Sequence, residues 1–151
     1  MIKIICVGKL KESYLKDSVN EYLKRLSKYT KVNIIEVNDI SGFDIHTILK
    51  KEQEEILKNI NEKDYVITLE IEGNQINSLE LAKKIDKIFL MHSNIVFIIG
   101  GSYGLDDQVK TRANYRLSFS KLTFPHQLFR IMLLEQIYRV FKINNNEEYH
   151  K

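Results

Sequence analysis

Cysteine is almost absent from this chain. Cys6 stands alone, so no internal disulfide can form. It sits inside an apolar run, where a thiol reads as a small core hydrophobe. Proline is equally scarce: Pro125 is the only one, placed where a helix is expected to begin and a fixed φ is tolerated. No apolar run approaches the roughly 20 residues needed to span a bilayer. The opening MIKIICVGKLKES has no basic stretch before its short apolar run and no small-residue cleavage site after it. It is therefore not read as a signal peptide, and cytoplasm is the expected compartment. The four histidines, His46, His92, His126 and His150, never fall three or four residues apart, and Cys6 is distant, so no metal centre is expected. His46 and His92 read as surface residues. Also missing are a Walker A Gly-Lys-Ser/Thr, a G-x-G-x-x-G after the first strand and a Gly-x-Ser-x-Gly elbow. Their absence disfavours P-loop, Rossmann-type and serine-hydrolase chemistry.

The 151 residues suit one domain, taken as 1–151. A hydrophobic content of 44% beside 28% charge excludes a wholly disordered chain. Charge is unevenly spread. From residue 108 onward there are eight Lys or Arg and three Asp or Glu, a net +5, whereas the remainder carries −2. Such a basic C-terminal third suits a phosphate-binding face, or is a solvated surface with chance bias. Arg112, Arg116, Lys121, Arg130, Arg139, Lys142 and Lys151 are the candidate phosphate contacts, with Arg130 and Arg139 alternatively holding a dimer or the tail.

Apolar spacing gives strands at Ile2–Val7, Val32–Val37, Tyr65–Ile71, Ile95–Ile99 and Tyr115–Phe119. The fourth is the most uniformly apolar and is expected at the centre. Helical spacing follows each strand. Ser13 is a candidate cap, and Ile45 to Ile60 form a helix with KKEQEE on its wet side. Ser78 opens a helix with Leu79, Ala82, Ile85, Ile88 and Phe89 on one face, Asp106 to Ala113 is short, and His126 to Lys142 is the last. EGNQ, with Gly73 and Asn74, reads as a turn. The alternation predicts an α/β fold, a mostly parallel sheet with helices on both faces.

Ligands in such sheets bind beyond the carboxyl ends of the strands. Three loops qualify: Glu70–Gln75, Gly100–Leu105 and Ser120–His126. The glycines of GGSYGL permit close backbone approach to a ligand, or simply make a tight turn. His126 either packs at the helix start or faces a ligand. The last helix is apolar over more than one face, through Leu128, Phe129, Ile131, Met132, Leu133, Leu134, Ile137 and Tyr138. That suits a homodimer interface, or a central helix of a monomer.

GGSYGL, then LSFSKLTFPHQLFRIMLLEQIYRVFKI, then YHK at the C-terminus, resemble the large-subunit ribosomal RNA methyltransferases of the SPOUT superfamily. The resemblance extends to the opening KIICVGKLKE and the middle ITLEIEG. It implies a deep trefoil knot near the C-terminus, which periodicity cannot show and which is rare among folds. It implies a homodimer with each cofactor site near the subunit interface, and no metal. The implied reaction moves a methyl group from S-adenosylmethionine to N3 of a pseudouridine in 23S ribosomal RNA of the large ribosomal subunit, within assembled ribosomes. The implied cofactor contacts are Leu69, Gly100, Phe119, Ser120, Lys121, Leu122, Thr123 and Phe124. Where the family often has Gly and Pro before the terminal Tyr-His, this chain has Asn146 and Glu148; Asn tolerates left-handed backbone. The tail Tyr149–His150–Lys151 reads either as a frayed end or as a completion of the active site. In the second reading His150 is the general base, Tyr149 stacks on or orients the target nucleobase, and Lys151 holds a phosphate or favours the developing anion, with His126 the reserve base. Two rival readings are a non-catalytic RNA- or ribosome-binding module and an unrelated small nucleotide-binding enzyme.

Overall fold

The computed structural model describes residues 1–151. Five strands, β1 (Ile2–Val7), β2 (Val32–Val37), β3 (Tyr65–Gln75), β4 (Ile95–Ile99) and β5 (Tyr115–Ser118), form one parallel sheet in the order β2-β1-β4-β3-β5. The uniformly apolar β4 lies in the middle and is buried throughout. Parallel strands need crossovers, here supplied by α1 (Ser13–Leu26), α2 (Ile45–Lys58), α3 (Ser78–Phe89), α4 (Asp107–Arg112) and α5 (His126–Asn144).

Successive side chains of a strand point to opposite faces. On one face Ile2, Ile4, Cys6, Ile95, Phe97 and Ile99 pack with α1, α3 and α5; on the other Ile5, Val7, Val96 and Ile98 pack with α2 and α4. No helix is long and apolar enough to cross a membrane.

Several local expectations are corrected. Ser13 is the first helical residue rather than the cap; Glu12 holds the cap position without a side-chain cap bond. The third helix opens at Ser78 as expected, behind an Asn77 cap whose side chain accepts from the Glu80 N–H while the Glu80 carboxylate accepts the Asn77 N–H. Leu81 faces the core there, and Leu79 is exposed. In α2 the acidic run is not all wet. Ile48, Glu52 and Ile56 fall four apart, on one helix face, so Glu52 is carried inward. It accepts the Ile40 N–H, and burial raises its carboxyl above the ordinary range. Gln53 is also buried and donates to Gln108.

EGNQ is not a turn outside the sheet. It is the second half of β3. Leu117 of β5 pairs first with Leu69 and again with Asn74, so residues 70–73 bulge out between two pairings. Gly73 is required at that return: a Cβ there would lie 2.7 Å from the Leu117 carbonyl carbon.

Candidate active site

The ends of β3, β4 and β5 open into a cleft of about 270 Å³. All three loops singled out in the sequence contribute to its walls. Leu69, Gly100, Phe119, Ser120, Leu122, Thr123, Phe124 and His126 line it; Lys121 does not and is exposed. Ile71, Ile99, Leu105 and Phe129 complete an apolar lining. Phe119 and Phe124 both pack on Phe129, at ring-centroid distances of 4.9 and 6.1 Å, which fixes the β5–α5 loop against the helix.

Of the two readings of the glycine loop, the structure shows the tight turn. A Cβ on Gly100 would meet the Gly104 carbonyl oxygen at 2.6 Å. Its missing side chain lets the loop fold back on itself, closed by the Gly104 N–H on the Gly101 carbonyl at 3.1 Å. Gly104 adopts φ +80°, the left-handed region that favours glycine. A side chain on Gly101 would press on Val7 at 3.0 Å. The glycines thus shape the cleft wall through the chain's own sterics.

Glu70 is the buried charge of the cleft. Arg116 grips it with two hydrogen bonds, at 2.7 and 2.8 Å, and the Thr68 hydroxyl donates to it at 2.7 Å. Lys110 stands 3.6 Å away. Burial pushes this carboxyl up, but the Arg116 and Thr68 hydrogen bonds and the two cations outweigh it and hold it below the ordinary range. Sequence reading did not single out Glu70; its signal was the only charged residue in the strand Tyr65–Ile71.

Arg130 was a candidate phosphate contact, and the structure corrects this. Its side chain is almost wholly buried on α5. One guanidinium nitrogen donates to Glu36 at 2.6 Å and another to the Gly8 carbonyl at 3.1 Å. Its Nε has no partner. Glu36 also accepts the Leu10 N–H at 2.9 Å. Burial pushes Glu36 up, but these donors bring its carboxyl below the ordinary range. Arg130 thus ties the ends of both β1 and β2 to the start of α5. Beside it lies Cys6, whose thiol burial pushes up to about 12.

The tail is ordered on the far half of α5. Asn146 takes φ +55°, the left-handed turn expected of it. Glu147 then receives hydrogen bonds from Lys142 at 2.7 Å and from the Tyr29 hydroxyl at 2.7 Å. The Tyr149 hydroxyl donates to Glu135 at 2.8 Å, and its ring packs edge-on to Tyr138 at 5.1 Å. Burial and that hydrogen bond push the phenol up to about 12. His150 Nδ1 meets Arg139 at 3.2 Å, while Glu148 and Lys151 are exposed. Arg139 lies thirteen residues beyond His126, about 20 Å along the helix axis at 1.5 Å per residue. Within one chain, then, the tail and the cleft are separate.

The other candidate cations are mostly paired. Arg112 hydrogen-bonds the carbonyls of Asn61 and Asp64, Arg116 serves Glu70, Arg139 serves Glu135 and Lys142 serves Glu147. Lys121 and Lys151 have no ionic partner. The His, Cys, Asp and Glu side chains form no cluster able to hold a metal ion.

The chain that builds this cleft is matched over its whole length among known proteins. A family model described as "Predicted SPOUT methyltransferase" matches residues 1–150. The ribosomal RNA large subunit methyltransferase H of Clostridium botulinum (strain Alaska E43) is 55% identical, across 99% of both chains. The protein of the same name from Clostridium acetobutylicum is 52% identical, again across 99% of both. The solved structure described as "a probable methylase family protein from Haemophilus influenzae Rd KW20" shares the fold at a TM-score of 0.57 and 14% identity, covering 99% of this chain and 70% of its own. The sequence motifs, the parallel sheet and the full-length matches converge: the chain belongs to the SPOUT methyltransferase family.

Proposed function

We propose that this protein transfers a methyl group from S-adenosylmethionine to N3 of a pseudouridine in 23S ribosomal RNA, acting in the cytoplasm on assembled ribosomes. Its 151 residues then form one domain, with the C-terminal knot that the family implies. The observation that carries the reading is the cleft itself, together with relatives named for large-subunit ribosomal RNA methylation. Its chemistry fits the cofactor. Apolar walls at Leu69, Phe119, Leu122 and Phe124 suit an adenine, and Glu72, Glu70 and Lys110 make one end polar enough for an amino-acid tail.

When bound, the cofactor supplies an electrophilic methyl on a sulfonium. The protein's work is to bind, orient and remove a proton. N3 of the base carries a hydrogen. For N3 to accept a methyl group, that proton would have to leave to a base supplied by the protein. Histidine changes charge near neutral pH and can accept it. His126 is already on the cleft wall. His150 is not, because its own chain holds it on the far part of α5.

A homodimer reconciles this. The twofold copy would bring its Tyr149, His150 and Lys151 to the cleft, and the exposed Leu122 and Leu128 (70% and 43% exposed), at the cleft and on the first turn of α5, offer apolar surface for it. Methyl transfer from labelled cofactor to intact ribosomes, separated subunits and free RNA tests the reading. Label in large-subunit RNA, strongest with intact ribosomes, is expected; no transfer to any of the three overturns it.

A further inference from the structure

The seven C-terminal cations looked like the phosphate-binding face, yet five are consumed internally: Arg112 by carbonyls, and Arg116, Arg130, Arg139 and Lys142 by carboxylates. An RNA substrate therefore needs cations elsewhere. The structure leaves unpaired ones at the carboxyl edge of the sheet. The loop Gly8–Glu12 leaves β1 there, next to the start of α5. Its backbone is held at three points. Arg130 donates to the Gly8 carbonyl at 3.1 Å, Glu36 accepts the Leu10 N–H at 2.9 Å, and Gln127 accepts the Lys11 N–H at 3.4 Å. Gly8 enters the loop at φ +94°, a turn that favours glycine.

Lys9 and Lys11 project from this fixed backbone. Both are exposed, and neither ammonium has a hydrogen bond or ion pair. Across the start of α5, Lys121 on the β5–α5 loop is exposed and unpaired as well. The two loops flank the turn in which His126 lines the cleft. Glu36 is already satisfied by Arg130, Glu12 is the only acid within the Gly8–Glu12 loop, and Asp39 lies beside Gly8 without an ion pair to either lysine.

We propose that Lys9 and Lys11, with Lys121, form a phosphate-contacting rim that sets the RNA strand over the cleft. This rests on the RNA-methylating reading. Because three hydrogen bonds fix the loop's backbone in advance, only the lysine side chains need ordering when RNA arrives. Each phosphate neutralised releases counterions, so the contribution is visible in salt dependence.

The test is binding of the full chain to purified large-subunit RNA and to intact ribosomes across a salt series. K9A/K11A should weaken binding about tenfold or more near 0.1 M salt and reduce the slope of log affinity against log salt by roughly two. K121A should act in the same sense with about half that change in slope. Cofactor affinity by calorimetry and the thermal midpoint of K9A/K11A should match the wild type. K24A/K87A removes two exposed lysines near the ends of α1 and α3, at the opposite edge of the sheet, and should bind as the wild type does. Unchanged affinity and slope for K9A/K11A, or an equal loss in K24A/K87A, overturns the proposal. A wild type that binds RNA in this way yet never methylates it would defeat the catalytic reading and leave the rim standing. Full methylation with an indifferent K9A/K11A would do the reverse.

Discussion

At its first turn α5 presents His126 to the cleft with no hydrogen bond, behind a Pro125 that offers no side-chain cap. Past its last turn, Glu147 is held by Lys142 and Tyr29, Tyr149 by Glu135, and His150 by Arg139. The same helix thus has one end with polar capacity to spare and one end where polar groups are closed on each other. Unsatisfied groups belong where a ligand will supply partners. Satisfied ones belong where a terminus must be kept from fraying. The tail is therefore folded before any RNA arrives, so that what it needs is delivery to a cleft rather than ordering.

The strongest way to break this contrast is to remove the closed end. Deleting residues 149–151 is expected to lower methylation about 100- to 10,000-fold, the usual loss for a general base. Cofactor affinity by calorimetry should stay near normal. Mixing the truncated chain with a Gly100→Val chain, whose cleft loop cannot close, should restore part of the activity if one copy lends its tail to the other's cleft. Full activity of the truncated chain alone would end the tail's catalytic role.

The open end can be broken through its anchor. Arg130→Ala leaves Glu36 without its guanidinium and frees the start of α5; because the Glu36 side chain is 33% exposed, the loss should fall between about 1 kcal/mol for an exposed pair and about 3–5 kcal/mol for a fully buried one. Urea unfolding measures this. A loss below about 1 kcal/mol, the range of exposed pairs, would mean that Arg130 is not the tie described.

The smallest effect sharpens the contrast through pH. Hydrogen bonds from Lys142 and Tyr29 lower the Glu147 carboxyl below its ordinary value of 4.5. Its hold on the tail is thus complete above that ordinary value and is lost as pH falls through the lowered one. Ring resonances of Tyr149, packed on Tyr138, should drift toward free-tyrosine positions over that fall. Glu147→Gln should remove the drift, and a wild-type tail indifferent to acid would place its anchorage elsewhere.

Strand and helix order was legible because a parallel sheet buried on both faces writes apolar strands, and amphipathic helices write a period near 3.6. The bulge in β3 was not. Glycine and asparagine spell a turn locally, and only the second pairing of Leu117, more than forty residues away, keeps them in the sheet. The cleft loops were legible from strand ends. The charges were misread for one reason: composition counts cations but cannot see which carboxylate faces them. Glu36 and Arg130 lie 94 residues apart. Glu52 shows the opposite failure. Its position four from Ile48 and Ile56 was visible, and the polarity of its neighbours hid it.

Cys6 gives the molecule a reporter of its own. The thiol is 1% exposed on β1, between β2 and β4, with a proton that burial makes hard to remove. A thiol reagent cannot reach it by fraying an end or swinging a loop, since the helices packed on that face of the sheet must lift away first. Its labelling rate in native buffer therefore counts openings of the sheet's interior, one event per modified molecule, without an engineered probe. A bound ligand that slowed labelling would be bracing the middle of the sheet from the cleft at its edge.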